Sequence, residues 1–204
     1  METAHVAPVR QRNARGEGDR LRVELLDAAA DLLAEHGSVD AVSLRAVARR
    51  AGVSATAVYR HFDDHGELVR AAVRHCWDNF AAALHDAHDD EADPFEEFFA
   101  AGRAYADFAR RRSGQYRVMF SDHAQFEGET EMVAAATFQV LVDLVSAVLV
   151  ELDDDRDPTA VSVQVHTWIH GIVDLDRACH GPGWPPVDQQ LAGLAGSLGL
   201  LPPC

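Results

Sequence analysis

Apolar residues along this chain recur at helical rather than strand spacing. Between Asp19 and His36, Val23, Leu26, Ala30 and Leu33 repeat every three or four positions, flanked by Leu25, Ala29 and Leu32, which predicts an amphipathic helix. Gly37 follows, where a helix end favours a residue that tolerates positive φ. Ser43 then reads as an N-cap, with Val42 before it and Val47 four positions after it in the hydrophobic-staple arrangement. Eleven residues on, Ser54, Val53 and Val58 repeat the pattern. Ala51-Gly52-Val53 joins the two short helices, and a pair of this kind with a Gly-containing turn is a helix-turn-helix unit.

The remaining pattern is also helical. Asp64 and Glu67 form a capping box ahead of an apolar stripe of Val69, Val73, Cys76, Phe80 and Leu84, with Trp77 beside it, ending near His88. Asp93-Pro94, with Glu96 behind, starts a helix to about Arg112. Gly114–Phe120 predicts a turn or two, and residues 129–151 a strongly apolar helix. Asp157-Pro158 opens a helix to about Cys179, the segment from Gly181 to Pro186 cannot be helical, and Asp188–Leu200 is a last amphipathic segment. No segment has strand periodicity. The expected class is all-α, with about nine helices. Residues 1–18 form an Arg-rich arm, 19–66 a three-helix helix-turn-helix domain, and 67–204 a larger helical bundle.

Charge changes the picture by its distribution. The net charge of −15 over 204 residues argues against a nucleic-acid partner. Residues 1–75 carry 11 Arg and 11 acids, however, so the whole excess lies beyond them. Residues 43–62 hold Arg45, Arg49, Arg50 and Arg60 and no acid. Such a patch can bind phosphate on an acidic protein, because salt screens charges beyond roughly 8–10 Å. All 18 basic residues are arginine. Cys76, Cys179 and Cys204 are few and far apart, no secretory signal opens the chain, and no run of eighteen uninterrupted apolar residues occurs. The expected setting is a reducing cytoplasm, away from membranes.

Residues 20–66 resemble the DNA-binding domain of the tetracycline-repressor (TetR) family. The likeness lies in a helix ending in E-H-G, then S-L-R-A-V-A-R-R-A-G-V-S-x-x-x-V-Y-R-H-F and a further capped helix. Trp168-Ile169-His170-Gly171 is similar to a W-x-H-G element in one branch of that family. Residue chemistry agrees with the resemblance. Ser54, Ala55, Thr56 and Ala57 are small enough for close approach to base edges in the major groove. Thr56 can hydrogen-bond a base edge or touch a thymine methyl, whereas Ala55 can do only the latter. Arg60 could reach a guanine or a phosphate, and Tyr59, His61, Ser43 and Arg45 suit phosphate contacts. Family members often place a lysine after the recognition helix, where this chain has Asp63-Asp64-His65-Gly66, with His65 as a weak substitute. In the arm, Arg10, Arg12 and Arg15 either follow the DNA backbone and minor groove or form a solvated tail.

The resemblance implies a pocket in the bundle. Phe98, Phe99, Tyr105, Phe108, Met119, Phe120, Phe138, His166, Trp168 and His170 are its candidate contacts, each with the alternative of plain core. His166, His170 and Asp174 share one helix face, and His85, His88 and Asp89 form a second cluster. Hydrogen-bonded histidines are the favoured reading for both, so neither metal nor cofactor is expected. The stripe of Leu191, Leu194, Ala195 and Leu198, with Gly193 and Gly196, is the expected homodimer contact. No nucleophile–base pair or phosphate loop indicates an enzyme. The expected function is a cytoplasmic regulator, more readily a repressor than an activator. It binds a near-palindromic double-stranded DNA operator and is released by a small, largely apolar effector. The alternative is a helix-turn-helix protein without an effector, acting structurally or through a protein partner.

Overall fold

A computed structural model describes residues 18–89, 91–121, 128–178 and 183–202, and among these the chain forms helices and no strand. They are α1 (Gly18–His36), α2 (Leu44–Ala51), α3 (Ala55–Val58), α4 (His65–His85), α5 (Pro94–Arg111), α6 (Ser113–Met119), α7 (Glu129–Glu151), α8 (Pro158–Ala178) and α9 (Val187–Leu198). A 3-10 turn at Val39–Ala41 links α1 to α2. The arm with Arg10, Arg12 and Arg15, Gly181-Pro182, Cys179 and Cys204 lie outside the described residues.

Local signals set the helix ends. The hydroxyl oxygen of Ser43 accepts the Ala46 amide at 3.1 Å, and that of Ser54 accepts the Ala57 amide at 3.2 Å. Asp64 accepts the Glu67 amide at 2.7 Å, and Glu67 reaches back to the Asp63 amide at 2.6 Å. These bonds satisfy amides that a helix start would leave without a partner. Gly52, at φ 67°, ends α2 in the left-handed conformation that the tight turn into α3 requires.

The apolar faces then decide the packing. Val42, Val47, Val58 and Phe62 are buried under α1, with the Arg22 guanidinium 5.0 Å from the Phe62 ring centre. This core does not stop at residue 66. One continuous cluster runs from Leu25 and Leu33 of α1 through Phe80 of α4 to Phe108, Tyr116 and Met119 of α5 and α6. A second cluster, from Phe95 and Phe98 through Val148 and Val165 to Leu194 and Leu200, closes the far end of the bundle. Within α7, Thr130–Glu151 is long and apolar enough to span a membrane by length and hydropathy, but α7 packs against α4, α5 and α8.

The tightest joint is between α1 and α6. A methyl group on Gly114 would stand 2.2 Å from the Leu33 carbonyl oxygen and 2.3 Å from that of Ala34. The Gln115 amide nitrogen donates to the Ala30 carbonyl at 2.9 Å. Arg117 donates to the carbonyls of His36 and Gly37 at 2.9 and 3.0 Å, capping the C-terminus of α1. Asp31 of α1 also lies 3.6 Å from Arg112, and Asp27 accepts from His75 of α4 at 2.7 Å. Gly114→Ala is therefore expected to lower the unfolding free energy by about 1–3 kcal/mol, because backbone rather than a flexible side chain must yield. Urea or thermal denaturation measures it; an unchanged midpoint would show that α6 can move away from α1 at no cost.

Candidate nucleic-acid interface and enclosed cavity

Two surfaces or spaces in this fold can carry chemistry. The first is the tip formed by α2, α3 and the turn after α3. Ser43, Arg45, Ser54, Thr56, Tyr59 and Arg60 are exposed there, while Ala55 and His61 are half-buried. Tyr59, at 57% exposure, projects from the fold. Ser43 and Ser54 accept amides as caps, which leaves each hydroxyl proton free to donate outward. Two cationic or titratable groups are partly committed elsewhere. Arg50 pairs with Glu35 of α1 and lies 3.7 Å from Asp31, and the paired Arg50 guanidinium holds the Glu35 carboxyl below its usual range. His65 Nε2 meets the Val42 carbonyl oxygen at 2.6 Å, so it serves the start of α4. Arg45, Arg49 and Arg60 remain exposed cations on this tip.

The second is a partly open apolar cavity of ≈ 250 Å³ among α4, α5, α7, α8 and α9. Phe98, Phe99, Tyr105, Phe120, Phe138 and His166 line it, together with residues that the sequence did not single out, notably Trp77, Thr137, Leu141 and Leu144. Their only sequence signal was that Trp77 stood beside the apolar stripe of α4 and that the other three fall within the strongly apolar segment 129–151. The other four candidates lie elsewhere. Phe108 packs in the core with its ring centre 5.0 Å from that of Phe80, and Met119 is fully buried beside α1. Trp168 is 43% exposed on the outer face of α8. His170 stands behind Tyr116, whose hydroxyl meets its Nδ1 at 2.6 Å.

The cavity wall is apolar with a few polar groups. The Tyr105 hydroxyl lies 2.9 Å from that of Tyr116, and His170 continues the chain to Asp174, its Nε2 3.5 Å from the carboxylate. Thr137 spends its proton on the Val133 carbonyl at 2.8 Å. Burial, reinforced by neighbouring His170, holds the His166 imidazole below the usual histidine range, so it is neutral at pH 7. Burial pushes the Tyr105 and Tyr116 phenols up, so both keep their protons. Among the described residues no three His, Cys, Asp or Glu side chains converge as a metal site.

The expected dimer stripe requires correction. Leu191, Leu194 and Ala195 are buried inside their own chain, and Leu198 is partly so. The apolar face of α9 closes the protomer's core, with Leu191 and Leu194 in the cavity wall. Apolar side chains left open among the described residues include Met132, Val140 and Val150 of α7 and, on α8, Val163 and the Trp168–Leu175 face; the Gly193 side of α9 is open too.

With this geometry in place, comparison decides the family. Residues 25–72 match the model described as bacterial regulatory proteins, tetR family, and residues 98–193 match the tetracyclin repressor-like C-terminal domain. The chain belongs to the TetR family of transcriptional regulators. It is 29% identical over 132 residues to the HTH-type transcriptional activator FasR of Mycolicibacterium smegmatis, covering 63% of this chain and 60% of FasR. It is 24% identical over 108 residues to the nucleoid occlusion factor SlmA of Vibrio cholerae, covering 53% of this chain and 55% of SlmA. The chain thus spans a little over half the length of these relatives. Among solved structures, a Rhodococcus protein of unknown function superposes with a TM-score of 0.73 at 27% identity, covering 87% of this chain and 93% of its own. AibR, solved with isovaleryl coenzyme A and operator DNA, gives 0.59 at 22% identity, covering 88% and 97%.

Two outcomes are expected. Arg45→Ala weakens binding to all DNA sequences and lowers the log–log salt slope by about 0.9, whereas Thr56→Ala shifts sequence preference and leaves that slope alone. Filter-binding titrations across salt and sequence separate the two. In the folded state His166 titrates below the unfolded value near 6.5, so the unfolded chain takes up its proton first as pH falls. Stability therefore declines as pH drops through about 6.5, and His166→Gln is expected to flatten that decline in denaturation curves at pH 5.5 and 7.5.

Proposed function

We propose that this chain is a homodimeric, cytoplasmic regulator that binds a near-palindromic operator through α3 and is released by a small, largely apolar effector in the cavity. The observation that carries the reading is the position of α6. Phe120, just past its C-terminal end, forms part of the cavity wall, while Gly114, Gln115 and Arg117 hold α1 of the DNA-binding unit. Tyr116, between them, is tied to His170 of α8. An occupant that displaces Phe120 moves α6, and α1 moves with it. Trp77 and Phe80 of α4 line the same cavity, and α4 begins immediately after the turn that follows α3, so the connecting helix has the same two ends. DNA and effector then oppose each other with a reciprocal coupling of typically about 1–3 kcal/mol.

Further support comes from size and from relatives. The cavity falls just below the roughly 300–1,000 Å³ usual for small-molecule sites. AibR was solved with operator DNA and an acyl thioester, and FasR is described as an activator. Release from DNA is our reading for this chain. Support for a dimer comes from α8: Trp168 and Leu175 share one face of the helix and lie open to water, where a second copy would cover them.

DNA selection with purified protein is expected to yield a two-fold site whose half-sites lie about one helical turn, or a multiple, apart. A compound bound in the cavity is expected to weaken that complex. Tyr116→Phe, which removes the hydroxyl joining α6 to His170, is expected to leave effector affinity within about threefold and to reduce the operator loss per bound effector. An effector that binds and leaves operator affinity unchanged in the wild type would refute the mechanism.

A further inference from the structure

The cavity has a second chamber. Leu84, Ala101, Val140 and Leu144 line that cavity on one side and, on the other, a more open groove of ≈ 500 Å³ between α4, α5 and α7. The two chambers differ in chemistry. The inner one holds no charged group at neutral pH, since its only imidazole is the neutral His166. The outer one is lined by Asp89, Glu97 and Asp143 together with His85 and His88. The Glu97 carboxylate is 13% exposed; its Oε1 takes the Asp89 amide and faces His88 Nδ1, each at 2.7 Å. Asp143, exposed on α7, accepts one bond from the Gln139 amide at 2.9 Å on Oδ1. Among the described residues lining either chamber there is no arginine, the chain contains no lysine, and the sequence has no arginine between Arg117 and Arg156.

We infer that the effector is an amphipathic cation, with its apolar body in the inner chamber and its ammonium group among Glu97, Asp143 and Asp89 in the outer one. This rests on reading the cavity as the effector site. The inner chamber is apolar, so it needs an occupant of matching polarity and has no place for a charge. A cavity of about 150 Å³ takes benzene, so ≈ 250 Å³ admits a bicyclic or branched body. A polar end that passes between Leu84, Ala101, Val140 and Leu144 into the groove meets three carboxylates and no arginine, with the imidazole of His88 beside Glu97 and that of His85 nearby. An ammonium group replaces its lost water with charge-assisted hydrogen bonds to the free carboxylate oxygens. A carboxylate or phosphate end would meet like charge in a partly desolvated groove.

A matched set tests this: naphthalen-2-ylmethylamine, naphthalen-2-ylmethanol and 2-naphthoate share one body and differ in the end group. Calorimetric titration of the full chain is expected to give the order amine, alcohol, carboxylate, with the amine ahead of the alcohol by about tenfold. In Glu97→Gln with Asp143→Asn that lead is expected to shrink to below about threefold, with alcohol affinity retained as the sign of an intact inner chamber. Asp143→Asn alone, at an exposed position, is expected to lose part of the lead, which guards against misfolding at Glu97. If the alcohol binds and the amine binds no tighter, or the naphthoate binds best, the cation is wrong while the effector site stands. If none of the three binds, both the cation and the effector site are refuted.

Discussion

The close approach of α6 to α1 is the constraint on which the rest depends. A glycine at 114 lets two helices touch backbone to backbone, and Arg117 then supplies the donors that the last carbonyls of α1 lack. Without that contact the helix-turn-helix would be a small unit joined to the bundle by α4 alone. With it, the DNA-binding end and the cavity end share one core. That shared core suits a protein in which occupancy at one end must alter geometry at the other, since packed interfaces switch between arrangements rather than deform smoothly.

Much of this was legible in the sequence, for a definite reason. Caps, staples and glycine turns act within four or five residues, so Ser43, Ser54, Asp64 and Asp93 announce their helices unaided. Helical periodicity likewise marked the apolar faces of α1 and α4. Periodicity tells which face is buried, but not what covers it. Leu191, Leu194 and Ala195 have the spacing of an intersubunit stripe and instead close their own protomer's core. His170 and Trp168 sit two residues apart in one motif and point to opposite fates, one into a tyrosine network and one to solvent.

Pairings across the fold were the least visible. The acid-free window gave Arg50 the same apparent availability as Arg45, but the partners of Arg50 lie fifteen and nineteen residues upstream on another helix. Gly114 and Arg117 carried no signal in a seven-residue helix too short to show periodicity. The division of the chain at residue 66 follows the end of the segment that resembles the family's DNA-binding domain, whereas one buried cluster runs across it.

One consequence concerns α9. Its inner face supplies Leu191 and Leu194 to the cavity, and its outer face, at Gly193, is open to close approach by another chain. In a pairing through that side, a single helix would separate the cavity from the second protomer. Occupancy and association then draw on the same element, so dilution of the protein and addition of effector become two entries to one equilibrium. A regulator arranged in this way would sense its own abundance as well as its ligand.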